Sequence, residues 1–300
     1  MLSEDEIEKL RKAGKIASEV RRWVEGYVKE GMKILDICEA VEDEIKRRGG
    51  KPAFPCNVDV NEVGAHYTSP PNDEKIIPEN SVVKVDIGVH VDGYIADTAI
   101  TLCFNYEYLN LKEAAEMALE TAIKIAKAGV KVSSLGAAVQ NTIERYGLKP
   151  IRNLTGHELA RYMIHGGTHI PNVASLNGHK LEEGKVYAIE PFATTMEGEG
   201  EIEEGETGNI YRILKEKPPK SKDEKVLFEI LRKNFYTLPF ALRWAVKISP
   251  VKNFYDVFGR LLKSRHIFGY PILVEKKKQP IAQAEHTIIV FKDYVEVTTI

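Results

Sequence analysis

Apolar residues recur at helical spacing through residues 5–29 (Ile7, Leu10, Ile16, Val20, Trp23, Val24), so the chain opens on an amphipathic helix. A second helix is predicted over 36–48, ended by Gly49-Gly50. Both patterns return, at 111–128 and 133–146. A shift of 98 residues aligns Gly31 with Gly129, Lys33 with Lys131, Ala40 with Ala138 and Val41 with Val139, and it also aligns Ile45 with Ile143, Arg47 with Arg145, Gly49 with Gly147 and Pro52 with Pro150. So many ungapped matches argue for an internal duplication, against chance likeness of two amphipathic helices.

Alternating apolar positions follow each helix pair. "VDIGVHVDGYIADTAIT" (85–101) reads as a hairpin around Asp92-Gly93. A two-residue turn there sets 91 against 94 and 88 against 97. "VVKVDIG" (82–88) corresponds to "VYAIEPF" (186–192), which places Asp86 opposite Glu190 in the repeat. The second half is interrupted. From Lys215 to Pro271 the charged "KEKPPKSKDEK" leads into a helical stretch at 222–235 and further helical sequence. We therefore expect a main domain of residues 1–214 and 272–300, with an inserted helical subdomain at 215–271. "IAQAEHTIIVF" (281–291) reads as one strand resuming the main domain, and "YVEVTTI" as a last short one. The class is α+β.

Composition narrows the setting. The 300 residues are 43% hydrophobic, enough for a sizeable core, and the formal net charge of −2 gives no general nucleic-acid or membrane surface. No apolar run approaches membrane-spanning length, and the charged start "MLSEDEIEKLRKAG" is not a signal peptide. Three cysteines (Cys38, Cys56, Cys103) without close metal spacing are expected to be reduced, buried and cytoplasmic. A 29% charged fraction, with glutamine only at 140, 279 and 283, leans towards a thermophile.

The hairpin holds the first chemistry. In the predicted register Asp86 and Asp97 are diagonal neighbours on one face, roughly 7–8 Å apart at Cβ. Two bare carboxylates brought together need a shared proton or a cation, unless they are merely scattered acids on an exposed strand face. Glu190 ("AIEPF") and Glu285 ("AQAEHTI") are likewise acids within apolar strands, costly to bury unless paired or metal-bound. His157 is the expected nitrogen donor. "HGGTH" lacks phosphate-loop spacing, and His157-Glu158 is no zinc-protease helix because Arg161 stands where the second His must be. Each histidine alone is more often a satisfied structural residue than a ligand. Four carboxylates and one imidazole suit Mn, Fe, Co or Zn, and the number of carboxylates able to bridge suggests two ions.

With these residues assembled, the chain resembles the methionine aminopeptidases of the pita-bread metallopeptidase family. The resemblance lies in "AFPCNVDVNEVGAHYT" (53–68), "VKVDIGVHVDGYIADTAIT" (83–101), "NLTGHELARYMIHGG" (153–167), "YAIEPFA" (187–193) and "AQAEHTI" (282–288). The insert is similar to that of the type II enzymes, and the short start resembles their archaeal members. The resemblance implies that Asp97 and Glu285 bridge two divalent ions, that Asp86 caps one, and that His157 and Glu190 complete the other. It makes Glu190 the proton acceptor for a metal-activated water, His66 a donor to the leaving amide, and His165 the group polarising the carbonyl. Phe54, Ile164 and Tyr270 would form the pocket for an unbranched apolar side chain. The implied role is cytoplasmic removal of initiator methionine from nascent chains, by a monomer working near ribosomes. Two alternatives remain: an X-Pro peptidase, whose relatives usually carry an extra N-terminal domain, and a catalytically inactive binding module, which would have lost metal ligands.

Overall fold

The computed structural model describes residues 2–176 and 178–300. Helix α1 (Glu4–Tyr27) begins in a capping box, in which Ser3 and Glu6 satisfy each other's backbone amides. Its buried side chains, Leu10, Ala13, Ile16, Val20 and Val24 among them, make one stripe. Helix α2 (Ile34–Arg47) stops where Gly49 takes a φ of +85°. There follow β1 (Lys51–Pro52), β2 (Asn57–Val60), β3 (Val63–Ala65), β4 (Val82–Val91) and β5 (Tyr94–Cys103). The second unit opens with α3 (Leu109–Ile125) and α4 (Val132–Arg145), then β6 (Lys149–Pro150), β7 (Thr155–Leu159), β8 (His169–Pro171), β9 (Val186–Ile189) and β10 (Phe192–Thr194). The shift of 98 residues holds to the residue for α2 and α4 and for β1 and β6, and Gly31 and Gly129 share left-handed φ values of +81° and +84°. The duplication is a physical repeat.

The long strand β11 (Ile202–Ile213) leads to α5 (Lys222–Phe235), β12 (Phe240–Ala241), α6 (Leu242–Ile248) and α7 (Phe254–Lys263). The chain returns on β13 (Ile267–Glu275), β14 (Ile281–Gln283), β15 (His286–Val290) and β16 (Val295–Val297). The three helices close over their own apolar cluster, with Leu227, Phe228, Leu231, Phe254 and Phe258 buried. β11 and β13 pair antiparallel, and β13 continues onto β3. Tyr270 therefore sits on a strand of that ribbon and not on a helix. Among the described residues, no helix is long and apolar enough to cross a membrane.

The sheets carry the symmetry, and one expectation needs correcting here. In the first half β4 is unbroken, with β1 and β2 on one edge and β5 on the other. In the second half the counterpart of β4 is split into β9 and β10, and the counterpart of β5 into β14 and β15. The predicted continuous strand over 281–291 is thus interrupted, although Ile189 against His286 and Phe192 against Gln283 keep one register across the gap. Pro191 has no amide to give to the ladder. Glu190 and Glu285 stand in the two breaks, where their backbones are released from pairing. The α1–α2 and α3–α4 layers each cover one half, over separate cores.

Candidate metal centre and active-site cavity

The hairpin turns at Asp92-Gly93 in the predicted register, with Val91 opposite Tyr94 and Gly88 opposite Asp97. Both turn residues have positive φ, +51° and +88°, as a type I′ turn requires. Asp86 and Asp97 consequently share a face, close enough for Asp86 to help hold the Asp97 carboxyl above its ordinary range. Gly88 matters here because a Cβ at that position would meet the Phe54 ring at 2.2 Å. The hairpin must be bare there for the ring to lie against it.

The second half brings the remaining groups. His157 lies on β7, and its Nε2 stands 3.3 Å from Glu190 Oε1 and 3.8 Å from Asp97 Oδ2. His157-Glu158 is therefore on a strand, consistent with rejecting the helical zinc motif. Asp97, His157 and Glu285 each present a ligand atom within 4.8 Å of the others, and all three are buried. Asp86 and Glu190 open into the same space, a cavity of about 240 Å³. Its lining includes every residue singled out from the sequence: Phe54, His66, Asp86, Asp97, His157, Ile164, His165, Glu190, Tyr270 and Glu285. No Lys or Arg is among the lining residues.

The electrostatics are those of a cation site. Burial pushes the Asp86 carboxyl up to about 7, against the opposing pull of an Asn57 hydrogen bond at 3.2 Å. Burial first, and then the neighbouring carboxylates, hold Asp97 and Glu285 well above the usual range. Glu190 is raised by burial and by Asp86, and burial drives His157 well below its ordinary value. Asp86 Oδ1, Asp97 Oδ1 and Glu285 Oε2 are buried without a hydrogen-bond partner. Native proteins rarely leave such atoms orphaned, and divalent cations satisfy carboxylate clusters of this kind. The donor set fits a metal.

Around it, His66 has a strained φ of +71°, and its Nδ1 donates to the Pro271 carbonyl at 3.2 Å, which leaves Nε2 as the free ring nitrogen. Its ring packs edge-on against Tyr270. His165 packs edge-on against His157 with centroids 4.5 Å apart. Enclosure by the protein, with smaller contributions from His66, Arg212 and His169, lowers its proton affinity, although the ring opens to solvent at the mouth. Phe54 and Ile164 belong to one apolar cluster beside the carboxylates.

Two polar neighbours were not foreseen. Asn57 holds Asp86, and Gln283 donates to Glu190 at 3.4 Å. A legible signal existed for Gln283, since across the repeat it occupies the place of Asp97. The repeat also explains the lone nitrogen donor. The residue 98 positions before His157 is Asp59, and it faces Lys84 across the ladder. The first half thus sets a buried acid opposite a buried lysine where the second presents an imidazole. Of the cysteines, Cys38 and Cys56 are buried and Cys103 only half-buried.

Comparison with known proteins agrees with this geometry. The profile of Metallopeptidase family M24 matches residues 8–214. A methionine aminopeptidase of Methanothermobacter thermautotrophicus is 44% identical over 296 residues, covering 98% of both chains. In fold, the structure superposes on a methionine aminopeptidase from Thermotoga maritima with a TM-score of 0.69 at 24% identity, covering 99% of this chain and 98% of that one. It also superposes on a prolidase from Pyrococcus furiosus with a TM-score of 0.62 at 18% identity, covering 99% of this chain but 64% of the prolidase. The architecture is the pita-bread fold, and on the profile match and the near full-length identity the chain belongs to metallopeptidase family M24.

Proposed function

We propose that this protein is a metal-dependent methionyl aminopeptidase that removes the initiator methionine from peptides and nascent chains. The single observation that carries the reading is the convergence of Asp86, Asp97, His157, Glu190 and Glu285 on one cavity with three orphaned carboxylate oxygens. Identity of 44% over nearly the whole length to a methionine aminopeptidase supports the substrate class. In this reading Asp86, Asp97, His157, Glu190 and Glu285 would hold two divalent ions (Co, Mn, Fe or Zn), with Asp97 and Glu285 shared between them, Asp86 serving one and His157 and Glu190 the other. When bound, such ions lower the pKa of a coordinated water and polarise the scissile carbonyl.

The chain's own side chains supply the rest. Glu190 is the proton acceptor, held in place by Gln283. His66, with Nδ1 tied to a carbonyl, offers Nε2 to the scissile amide. His165, beside His157, is placed to stabilise developing negative charge on the carbonyl oxygen. Phe54 and Ile164 form the apolar wall for the methionine side chain, with Tyr270 lining the same cavity beside His66. Such a wall selects mostly by size, since one methylene is worth about 1–3 kcal/mol.

The domain division proposed is a catalytic domain of residues 1–214 and 272–300 with a helical insert at 215–271, and the separate apolar cluster of α5–α7 supports it. The insert holds thirteen Lys and Arg against five Asp and Glu, in a chain of net charge −2. That asymmetry supports the further reading that the protein works beside the ribosome, an RNA-rich surface where substrate N-termini arise.

The test is a metal titration of the metal-free protein coupled to peptide hydrolysis. Cleavage of Met-Ala-Ser that rises with added Co or Mn, and no cleavage of Ala-Pro-Ser, is the expected result. Cleavage of Ala-Pro-Ser alone would make the protein an X-Pro peptidase, and no metal-dependent cleavage of either would make it a binding module.

A further inference from the structure

The two carboxylates given the bridging role come from opposite halves of the repeat, so something must set the distance between them. No backbone ladder does so among the described residues: β5 pairs with β4, β14 with β10, and β15 with β9 and β16. Threonine hydroxyls close that seam instead. Thr287 Oγ1 accepts from the Asp97 amide at 2.7 Å and lies 2.8 Å from the Asp97 carbonyl, to which it donates. Thr98 Oγ1 donates to the Glu285 carbonyl at 2.7 Å. Thr101 Oγ1 brackets Gln283 in the same way, accepting from its amide at 2.9 Å and donating to its carbonyl at 2.7 Å. All three threonines are buried.

The arrangement is two-fold symmetric. An offset of 186 residues carries Asp97 to Gln283 and also carries Thr101 to Thr287. Each bracketing hydroxyl therefore does for one residue what a paired strand would do, satisfying both its N–H and its C=O. A threonine is suited to this because it is β-branched, so its χ1 is restricted in a strand and its hydroxyl is aimed. Behind them, Arg21 donates to Thr98 Oγ1 at 3.3 Å, and the Thr287 amide donates to Thr299 Oγ1 at 3.2 Å.

We propose that Thr287 and Thr98 are positioning residues of the metal centre, fixing the separation of Asp97 and Glu285 by clasping their backbones across the seam between the two half-repeats. The proposal rests on the metal reading above. Its test is calorimetric titration of Co(II) into metal-free protein, with the visible spectrum of the bound ion recorded alongside. Thr287→Val keeps the shape and removes the hydroxyl, and it should weaken Co(II) binding roughly tenfold or more, the range of outer-shell substitutions at metal sites. The same variant should alter the Co(II) spectrum, and Thr287→Ser should restore both. Thr98→Val, which removes one bond only, should shift affinity in the same direction by less, and it carries the comparison if Thr287→Val does not fold. Ile37→Val, a core substitution distant from the seam, controls for loss of stability and should leave Co(II) affinity unchanged. Wild-type affinity in Thr287→Val and Thr98→Val overturns the proposal, as does failure of Thr287→Ser to restore binding. Absence of Co(II) uptake by the wild-type protein overturns the metal reading itself.

Discussion

At the scale of single residues, the carboxylate cluster sets function against stability. Asp97 is buried beside Asp86 and has an oxygen without a partner, which is tolerable when a cation is present and unfavourable when it is not. Asp97→Asn should therefore raise the Tm of the metal-free protein by a few degrees while lowering metal-dependent peptide hydrolysis roughly a hundredfold or more. Scanning calorimetry and the peptide assay check the two halves, and a lower Tm would mean that the cluster is not repulsive. His90 tests another buried group, away from the cavity. Its Nδ1 accepts the Gly93 amide of the hairpin turn at 3.1 Å, and burial, helped by Lys51 and opposed by Asp92, lowers its pKa to about 4. The unfolded chain binds that proton near 6.5 and the folded protein only near 4, so stability present above pH 6.5 is lost as the pH falls between those values. His90→Asn keeps an acceptor for Gly93 without the proton. Between pH 7.5 and 5, urea unfolding should cost the wild type about 2 kcal/mol more stability than the variant. Equal losses would remove His90 from the account. The four acids of the site were legible because charged residues inside apolar strands are conspicuous, whereas His66 and His165 were reached only through the family resemblance. Asn57 was not, since an asparagine at the start of a short strand is unremarkable until its partner is known.

At the scale of elements, α1 shows packing overriding propensity. Alanine for glycine within a helix ordinarily stabilises by about 0.5–1 kcal/mol. At Gly14 a Cβ would stand 2.2 Å from the Thr298 carbonyl oxygen, whereas at Gly26, in the same helix, it would meet nothing within 4 Å. Gly14→Ala should accordingly destabilise by about 1–3 kcal/mol, and Gly26→Ala should be neutral or slightly stabilising. Chemical denaturation of the two variants checks this, and a stabilised Gly14→Ala would mean that the C-terminal strand yields readily. The helices were read to within a few residues because their apolar stripes and glycine stops are local signals. The breaks at Glu190 and Glu285 were not read, because alternation continues through them. Only Pro191 hinted at an interruption, and the register survives the gap.

At the scale of the whole molecule, charge is divided between the insert and the rest of the chain. The insert is strongly basic, while the remainder carries twenty-nine Lys and Arg against thirty-nine Asp and Glu. Lys217, Lys220 and Lys222 are exposed at the start of α5 and form no ion pair among the described residues. Binding to ribosomes should therefore be strongest at low salt and fall steeply with added KCl, and glutamate at these three positions should weaken it while leaving Met-Ala-Ser hydrolysis unchanged. Salt-independent co-sedimentation, or none, would dismiss the docking role. The sequence by itself determined the helices, the duplication, the hairpin register and the five ligand candidates, because periodicity, turn chemistry and misplaced charge are properties of neighbouring residues. The closing of the two halves on each other, the breaks that release Glu190 and Glu285, and the threonine clasp between Asp97 and Glu285 came only with the tertiary structure. They depend on contacts between residues almost 200 positions apart, and no local pattern in the chain encodes that distance.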